Sequence, residues 1–451
     1  MTAPSIHVVG GGLAGCEAAL QLARLGHAVV LHEMRPVRTT PAHRTGDLAE
    51  IVCSNSLKSV APATASGLFK AELDRLGSRL LACARAAAVP AGAALAVDRE
   101  RFSAAVQERI AAEPLISVRR EEVDSIAPGP DEVWILATGP LTSPALQVEL
   151  ERLTGRRPLH FFDAIAPTVT LESLDLDVLF RAARYDRGDA DYLNAAMDAG
   201  QYRRFHDELL GAERAEVPAF DRSDLFEGCQ PVEEIAAAGR DTLRFGPLRP
   251  VGLNDPRTGR RAYAVVQLRQ ENSAGTLYGL VGFQTRLKRG EQKRVFRLIP
   301  GLDRAEFVRL GQLHRNFYLD TPRACTRGFA LLAEPRVRVA GQMTGVEGYV
   351  ESLAGGLLTA WSLAADLRGI ALPPWPGTTL LGALHQGFLF DTTTTRLAPM
   401  NVNFGLLPPP PPGARGKQER RLAQAARSLA DLDAYLASPP LRRLLAADLG
   451  G

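Results

Sequence analysis

Apolar and polar residues follow strand and helix periods in the first part of the chain. A short apolar segment, residues 5–9, leads into Gly10-x-Gly12-x-x-Gly15, and a helical pattern follows at once. A second apolar strand, residues 28–31, ends just before Glu33. A strand, a glycine turn, a helix and an acidic residue about 20 positions further on are typical of a dinucleotide-binding unit. The pattern therefore predicts a nucleotide site at the start of the chain.

The residue types at this turn suit a bound pyrophosphate. Gly10 allows the tight turn, Gly12 lets the backbone approach the phosphates, and Gly15 lets the helix pack closely on the strand. Free backbone N–H groups and the positive end of the helix dipole face the phosphates. Glu33 can accept hydrogen bonds from the ribose hydroxyls of the adenosine. We therefore predict cofactor contacts at Gly10, Gly11, Gly12, Leu13, Ala14, Gly15 and Glu33.

Two later segments favour FAD over NAD as the bound dinucleotide. Residues 133–140 form an apolar strand that ends in Ala-Thr-Gly-Pro, and residues 338–352 have the pattern of a short strand, a glycine-rich turn and a helix start. Flavoproteins of the two-dinucleotide-binding class contact their cofactor at both places, and the late helix N-terminus can stabilise negative charge on a reduced flavin. Further FAD contacts are therefore predicted at Gly139, Gly341, Gln342, Gly345 and Tyr349.

The same patterns predict an α/β fold with an insertion. Residues 1–155 and 330–407 are expected to form a doubly wound, Rossmann-like FAD-binding domain. Residues 156–329 mix short strands, an acidic helix around residues 189–216 and Gly/Pro turns, which indicates an inserted α+β domain. Residues 408–451 begin with five prolines, a stiff spacer, and continue as an Arg-rich amphipathic helical tail. This tail either docks on its own domain or contacts a polyanion.

Composition places the protein among ordinary globular proteins. The chain has 451 residues, of which 46% are hydrophobic and 23% charged, so it can bury a sizeable core. No apolar run approaches the ~18 residues of a membrane span, and no signal peptide fits a strand that begins so close to Met1. We therefore expect a cytoplasmic protein with no membrane partner. Its oligomeric state has no signal in the sequence.

The five cysteines have different settings. Without an export signal they do not indicate a disulfide framework, and the absence of CxxC or His/Cys clusters predicts no structural metal. Cys16 and Cys83 fall in helical apolar patterns, which favours small buried thiols. Cys53 and Cys229 lie in polar, loop-like segments. Cys325 receives no assignment.

A basic run stands out against a net charge of only +3. Residues 286–297 carry six basic residues and one acidic residue. Such a run is either a solvated helix face or a patch that contacts phosphates. The sequence pattern alone leaves both interpretations open.

Longer motifs resemble the TrmFO family, the folate- and FAD-dependent tRNA uracil-5 methyltransferases of bacteria, which are relatives of the larger GidA/MnmG flavoproteins. The resemblance covers essentially the whole chain, with two small departures at residues 192–197 and 314–318. The mid-chain motifs are far more specific than a glycine loop. The matching segments are residues 9–15, 33–36, 40–43, 52–57, 89–92, 95–99, 137–143, 226–231, 246–253, 264–269, 281–285, 291–296, 314–316, 341–352 and 399–405.

The resemblance implies methyl transfer without S-adenosylmethionine. In this family 5,10-methylenetetrahydrofolate supplies the carbon to flavin N5, and NADPH or NADH supplies the reducing equivalents. The acceptor is C5 of a uridine in the T-arm of tRNA. Because that carbon is a poor nucleophile, a thiolate must first add at C6. A cysteine is therefore required.

The resemblance also assigns roles to single residues. Cys229 corresponds to the family's nucleophile, and Cys53 to a second active-site cysteine, either a base for the C5 proton or a guard of the flavin intermediate. His314 corresponds to the histidine that stacks on the folate pterin, and Tyr349 can lie over the isoalloxazine. Each residue also has a structural alternative: the two cysteines can be buried thiols, His314 a core histidine and Tyr349 a core aromatic. The tRNA-binding residues expected on the basic run are Arg286, Lys288, Arg289, Lys293 and Arg294.

Three other functions compete with this hypothesis. A GidA/MnmG-like enzyme that modifies wobble uridines shares the FAD motifs, but it needs a longer chain. If the protein were a flavin NAD(P)H oxidase with no RNA substrate, Cys229 and the basic run would remain unexplained. If the protein were a non-catalytic tRNA-binding flavoprotein, Cys229→Ala would cause no phenotype in the cell.

Overall fold

A computed structural model describes residues 4–156, 159–186, 189–216, 230–391, 393 and 397–446. The strands among these residues are β1 (Ser5–Val9), β2 (Val29–His32), β3 (Ser56–Ser59), β4 (Ala88–Val89), β5 (Ala94–Val97), β6 (Ile116–Arg119), β7 (Glu132–Leu136), β8 (Leu159–Ala164), β9 (Thr168–Thr170), β10 (Phe180–Arg181), β11 (Leu193–Met197), β12 (Ala264–Gln270), β13 (Leu277–Leu280), β14 (Phe307–Arg309), β15 (Leu313–Tyr318) and β16 (Val337–Val339).

The helices are α1 (Leu13–Arg24), α2 (Ala65–Leu76), α3 (Arg79–Ala86), α4 (Arg99–Ala111), α5 (Pro144–Thr154), α6 (Ala199–Gly211), α7 (Val232–Ala237), α8 (Thr242–Phe245), α9 (Arg289–Phe296), α10 (Thr321–Ala324), α11 (Tyr349–Leu367), α12 (Leu380–Gly382), α13 (Gly416–Leu436) and α14 (Pro439–Leu445). A π-helix, Ala383–Leu389, continues directly from α12.

A parallel sheet in the order β16-β7-β1-β2-β6 forms the centre of the first unit. Its middle strand β1 is buried after its first residue, because apolar side chains must be covered on both faces of a parallel sheet. The glycine turn follows β1, and α1 begins at Leu13. The predicted α/β, Rossmann-like fold is confirmed.

Helices α1 and α11 pack closely because Gly356 of α11 faces the backbone of Ala14 in α1, while Gly355 faces Gly341 in the turn that precedes α11. A Cβ at Gly356 would lie 2.2 Å from the Ala14 carbonyl oxygen, and one at Gly355 would lie 2.7 Å from the Gly341 nitrogen. Larger side chains would force the two helices apart. The N-terminal ends of both helices therefore lie beside the same edge of the sheet.

The inserted part of the chain has its own sheet and its own core. Strands pair antiparallel in the order β10-β11-β12-β13-β9-β14. Tyr202, Phe205, Phe283 and Phe296 are buried against this sheet. The acidic helix expected around residues 189–216 is shorter, because residues 193–197 form β11. The two-stranded ribbon β8–β15 lies apart from this sheet.

The C-terminal tail packs on the main core. Leu432, Leu441 and Leu444 belong to the same apolar cluster as β1 and α1, and the Tyr435 hydroxyl donates to the Pro373 carbonyl at 2.9 Å. The proline run is held against α13, since Arg427 donates to the carbonyls of its first two prolines at 2.8 Å. Of the two alternatives for the tail, the described residues adopt the docked arrangement.

Within the described ranges, no helix is long and apolar enough to cross a membrane.

Candidate functional site at the carboxyl edge of the parallel sheet

An open cavity lies where β1, β2 and β7 end, with about 1020 Å³ of empty space when the solvent at its mouth is included. Eight of the twelve predicted cofactor contacts line it: Gly10, Gly12, Leu13, Ala14, Glu33, Gly139, Gln342 and Tyr349. Ligands of open α/β sheets bind at this edge. The remaining four predicted residues, Gly11, Gly15, Gly341 and Gly345, are not among the residues that line the cavity.

The glycine turn has the geometry that a dinucleotide needs. Gly10 has φ +106°, and a Cβ there would lie 2.5 Å from the Ala137 carbonyl oxygen. A Cβ at Gly15 would lie 1.9 Å from the Gly10 oxygen, so the start of α1 requires glycine. Gly12 differs, since no atom lies within 4 Å of its Cβ position. The open space beside Gly12 is room for a phosphate.

Glu33 is held in its charged form at the end of β2. Burial alone would raise the pKa of Glu33, but the hydrogen bonds and charge of Arg35 and the Gly11 amide hold it below its ordinary value. The Gly11 N–H and the Arg35 Nε each donate to the carboxylate at 2.9 Å. The carboxylate therefore lies against the glycine turn and lines the cavity.

The late glycine turn brings a second helix to the cavity. Gly341 has φ +71°, and a Cβ there would lie 2.5 Å from the Ala14 Cβ. Gly348, with φ +115°, immediately precedes α11. These two glycines allow residues 341–349 to fold back over the first turn. Tyr349, the first residue of α11, thus reaches the cavity wall.

Tyr349 joins the cavity to the loop that carries Cys53. The Tyr349 hydroxyl oxygen accepts a hydrogen bond from the Cys53 backbone N–H at 2.8 Å. Burial, followed by the proximity of Cys53, raises the pKa of Tyr349 well above its ordinary value, so the phenol is neutral. The Cys53 thiol lies 3.8 Å from the Ala164 carbonyl oxygen at the end of β8. Cys53 is therefore placed between the cavity and the β8–β15 ribbon.

Three arginines hold the Cys53 loop. Arg99 donates to the Cys53 carbonyl at 2.9 Å and to the Ile51 carbonyl at 3.1 Å. Arg309 donates to the Val52 carbonyl at 2.9 Å. Arg269 donates to the Ser54 hydroxyl at 2.7 Å.

Sequence reasoning missed these three positioning residues. Arg99 and Arg269 are the last residues of two family-like segments, residues 95–99 and 264–269. Their place in these segments is the sequence feature that could have pointed to them. Arg309 lies in no such segment, and only the fold brings it to the loop.

The ribbon strand β15 carries buried polar atoms without protein partners. His314 pairs in register with Asp163, and burial lowers its pKa to about 4, so its imidazole is neutral. Among the described residues, His314 Nε2 and Asn316 Nδ2 are buried with no hydrogen-bond partner. The strand packs beside residues 139–141 at the cavity edge. Buried polar groups are normally paired, so these atoms fit a polar ring bound against the ribbon.

The basic run is largely neutralised by acidic residues from other elements. Among its five predicted tRNA-binding residues, Arg286 pairs with Glu234 at 2.6 Å and Lys288 with Glu213 at 2.7 Å. Arg294 pairs with Glu291 and with Glu208. Arg289 and Lys293 are exposed, and neither has an ion pair within the described part of the chain. Cys229 lies outside the described residues, so its position relative to the cavity is not given.

The parallel sheet, the glycine turn and the cavity at its edge define a dinucleotide-binding protein of the flavoprotein type. The family model of glucose inhibited division protein A matches residues 5–371. The chain belongs to this family and, within it, to the TrmFO proteins, with which it shares half or more of its residues.

Two such relatives and one solved structure show the extent of the similarity. A protein of Desulforudis audaxviator named methylenetetrahydrofolate–tRNA-(uracil-5-)-methyltransferase TrmFO is 56% identical over 95% of this chain and 97% of its own length. The protein of that name from Geobacter sulfurreducens is 52% identical over 96% of this chain and 99% of its own. The structure of Aquifex aeolicus GidA superposes with a TM-score of 0.69 at 14% identity, covering 98% of this chain and 75% of that one.

Proposed function

We propose that this protein is a FAD-dependent methylenetetrahydrofolate–tRNA (uracil-5-)-methyltransferase that uses NADPH or NADH as reductant. The observation that carries the proposal is the 56% identity to a protein of that name over nearly the full length of both chains. The cavity beside the Cys53 loop supports it, because the reaction needs a dinucleotide pocket with cysteine chemistry at its mouth.

The residues of the cavity fit FAD. Gly12 leaves room for a pyrophosphate, Glu33 offers a charged acceptor to a ribose, and the amides at the start of α1 would donate to the phosphates. Gly139 and Gln342 border the same space. When bound, FAD supplies the hydride and one-carbon chemistry of the reaction.

Cys229 is the proposed nucleophile toward the RNA. Its thiolate adds to C6 of the uracil, which forms a C–S bond and turns C5 into an enolate-like carbon that can attack an activated methylene. Loss of the C5 proton to a base then expels the thiolate, the bond between the methylene carbon and its carrier breaks, and two electrons from NADPH or NADH reduce the methylene to the methyl group. The thiolate is thus regenerated in each turnover.

Cys53, held by Tyr349 and the arginines, is proposed to act at the cavity mouth as the base for the C5 proton or as a guard of the reactive carbon. The neutral, buried imidazole of His314 is proposed to stack on the pterin of the folate. A neutral ring suits this role because a charged one would have to be desolvated.

A GidA-like modification of wobble uridines is the second candidate. The fold similarity supports it at the level of architecture alone, since the identity to Aquifex GidA is 14%. The chain spans three quarters of GidA's length, and it aligns with nearly the whole length of the methyltransferase relatives. These lengths favour the methyltransferase.

The deciding experiment is a methylation assay with an unmodified tRNA transcript. The protein is incubated with FAD, NADPH and methylenetetrahydrofolate labelled in the one-carbon unit, and the RNA is then digested to nucleosides. Label in 5-methyluridine of the T-loop is the expected result. Label elsewhere, or unlabelled 5-methyluridine that forms only when S-adenosylmethionine is added, contradicts the proposal.

A further inference from the structure

We propose that Phe245, Tyr185, Arg184 and Arg249 form a stacking and phosphate-binding platform on which nucleotides of the substrate RNA rest beside the Cys53 loop. This inference rests on the proposed function, because it names the surface that receives the RNA. It selects a surface other than the basic run.

The platform begins with an exposed aromatic pair. Phe245 ends α8 and is 82% exposed, the most exposed large apolar side chain among the described residues. Tyr185 is 49% exposed, and its ring packs on Gly252, whose Cβ would lie 2.7 Å from the ring. The two aromatics therefore bracket the turn formed by residues 246–252. Exposed rings of this kind are the usual platforms for unpaired bases.

The turn between the two rings is held rigidly. Arg184 donates to the Arg249 carbonyl at 2.8 Å and also to the Val251 carbonyl. The Tyr185 backbone N–H donates to the Gly252 carbonyl at 2.8 Å. Tyr185 itself has φ 60°, a left-handed conformation that costs energy for a residue other than glycine. Such a conformation persists only where neighbouring groups impose it. Here the contacts with Gly252 hold the Tyr185 ring at the surface.

Two positive charges lie together on this turn. Burial and the charge of Arg249 lower the pKa of Arg184, against an opposing contribution from Tyr185. Within the described ranges, neither guanidinium has an ion-pair partner. On either side of residues 246–252, Asp241 pairs with Arg244 and Asp255 with Arg257, each at 2.8 Å.

This arrangement differs from the basic run, where carboxylates cancel most of the charge. Two guanidiniums that have no ion pair within the described ranges, next to exposed aromatic rings, match the phosphates and bases of single-stranded RNA. An acidic protein would satisfy the charges but would not use the exposed ring of Phe245 as a stacking surface. We therefore commit to RNA as the occupant.

A line of contacts connects the platform to the reactive loop. Arg184 donates to the Gln267 side chain at 3.0 Å. Gln267 and Arg269 are two residues apart in β12, so they lie on the same face of the strand, about 7 Å from each other. Arg269 then donates to Ser54, the neighbour of Cys53. Bases seated on the platform would lie beside the nucleotide that reaches Cys53.

The test compares tRNA binding with binding of inorganic polyphosphate, which carries charge without bases. Phe245→Ala is expected to raise the Kd for an unmodified tRNA transcript roughly 5- to 100-fold, the range of one lost stacking contact. It should leave polyphosphate affinity unchanged. Phe245→Trp should restore tRNA affinity, since stacking needs a ring of any type. Arg249→Glu should weaken both ligands and reduce the salt dependence of binding.

Matched controls lie elsewhere on the surface. Val148→Ala removes an exposed apolar side chain on α5, and Arg109→Glu reverses an exposed charge on α4. Both should bind tRNA like the unaltered protein. Because Phe245 is exposed, its variants should keep their FAD absorbance and melting temperature, which shows that folding is intact.

The outcomes separate the two proposals. If the unaltered protein methylates tRNA while Phe245→Ala and Arg249→Glu bind it normally, the platform is wrong and the function stands. If the unaltered protein neither binds nor methylates tRNA, the proposed function fails first. Equal losses of tRNA and polyphosphate affinity in Phe245→Ala would refute stacking.

Discussion

The hydroxyl oxygen of Tyr349 accepts a 2.8 Å hydrogen bond from the backbone N–H of Cys53, although 296 residues separate them along the chain. Tyr349 begins the helix that follows the second glycine turn, and Cys53 lies in the loop before β3. A residue of the cavity wall thus helps to hold the backbone of Cys53. Filling of the cavity and placement of the thiol are therefore physically linked.

Tyr349→Phe removes this acceptor and leaves the Cys53 N–H unsatisfied, a cost of about 1–3 kcal/mol. We expect FAD to remain bound and the methylation rate to fall roughly tenfold or more in single-turnover assays. Tyr435→Phe is the matched control, because it removes a buried phenol that binds the Pro373 carbonyl in the tail. A Tyr349→Phe enzyme as fast as Tyr435→Phe would show that the hydrogen bond does not position Cys53.

Gly12→Val tests the phosphate site. The φ of Gly12, −80°, is allowed for valine, and no protein atom opposes the new side chain. The fold should therefore survive while the flavin is lost, which absorbance of the purified protein would show. Gly211→Val, also in open space, is the control and should remain yellow. Full FAD occupancy in Gly12→Val would place the pyrophosphate elsewhere.

Alanine substitutions of the two cysteines should impair different steps of the reaction. Cys229→Ala should abolish methylation while FAD binding and NADPH oxidation continue, because it removes a nucleophile. Cys53→Ala should impair methylation yet still form a covalent adduct with a 5-fluorouridine mini-helix, which traps attack at C6. Denaturing gels detect this adduct. An adduct in Cys229→Ala and none in Cys53→Ala would reverse the assignment.

The basic run should contribute unevenly to RNA binding. Replacing Arg286, Lys288, Arg289, Lys293 and Arg294 together with alanine should weaken tRNA binding and flatten its dependence on salt, because fewer counterions are released. The double variant Arg289→Ala/Lys293→Ala should account for most of this change, since the other three side chains are bound to carboxylates. Lys288→Ala/Arg294→Ala is the paired control. Equal effects of the two double variants would mean that the ion pairs open on binding.

Buried histidines should make the protein less stable in acid. Burial lowers the pKa of His385 to about 4, whereas an unfolded chain binds this proton near pH 6.5. The unfolded state therefore takes up the proton first, and stability falls as the pH drops from about 6.5 to 4. His314 acts in the same direction, and Glu72, whose pKa burial raises to about 7, acts in the opposite one.

The contribution of one histidine can be isolated by difference. Between pH 7.5 and 5.0, the unaltered protein should lose about 2 kcal/mol more unfolding free energy than His385→Leu. Urea denaturation at both pH values measures this difference. Identical losses would mean that His385 is protonated in the folded protein.

The local elements around the cofactor could be predicted from sequence because their causes are local. The turn after β1 requires glycine where a Cβ would meet backbone within 2.5 Å, at Gly10 and Gly15, and such requirements are visible as a motif. The apolar periods predicted β1, α1 and β7 to within a few residues. Longer motifs then indicated the family, and with it FAD, folate and tRNA.

The tertiary structure alone decided which charges stay available and which groups surround the thiol. Glu213 and Glu234 cancel charges of the basic run from positions 75 and 52 residues away. Arg309 reaches the Cys53 loop across 257 residues. An ion pair or a hydrogen bond depends on distances of a few ångströms, and the folding of distant segments sets those distances. A local sequence pattern specifies a turn, whereas the partners of a charge are specified only when the whole chain has packed.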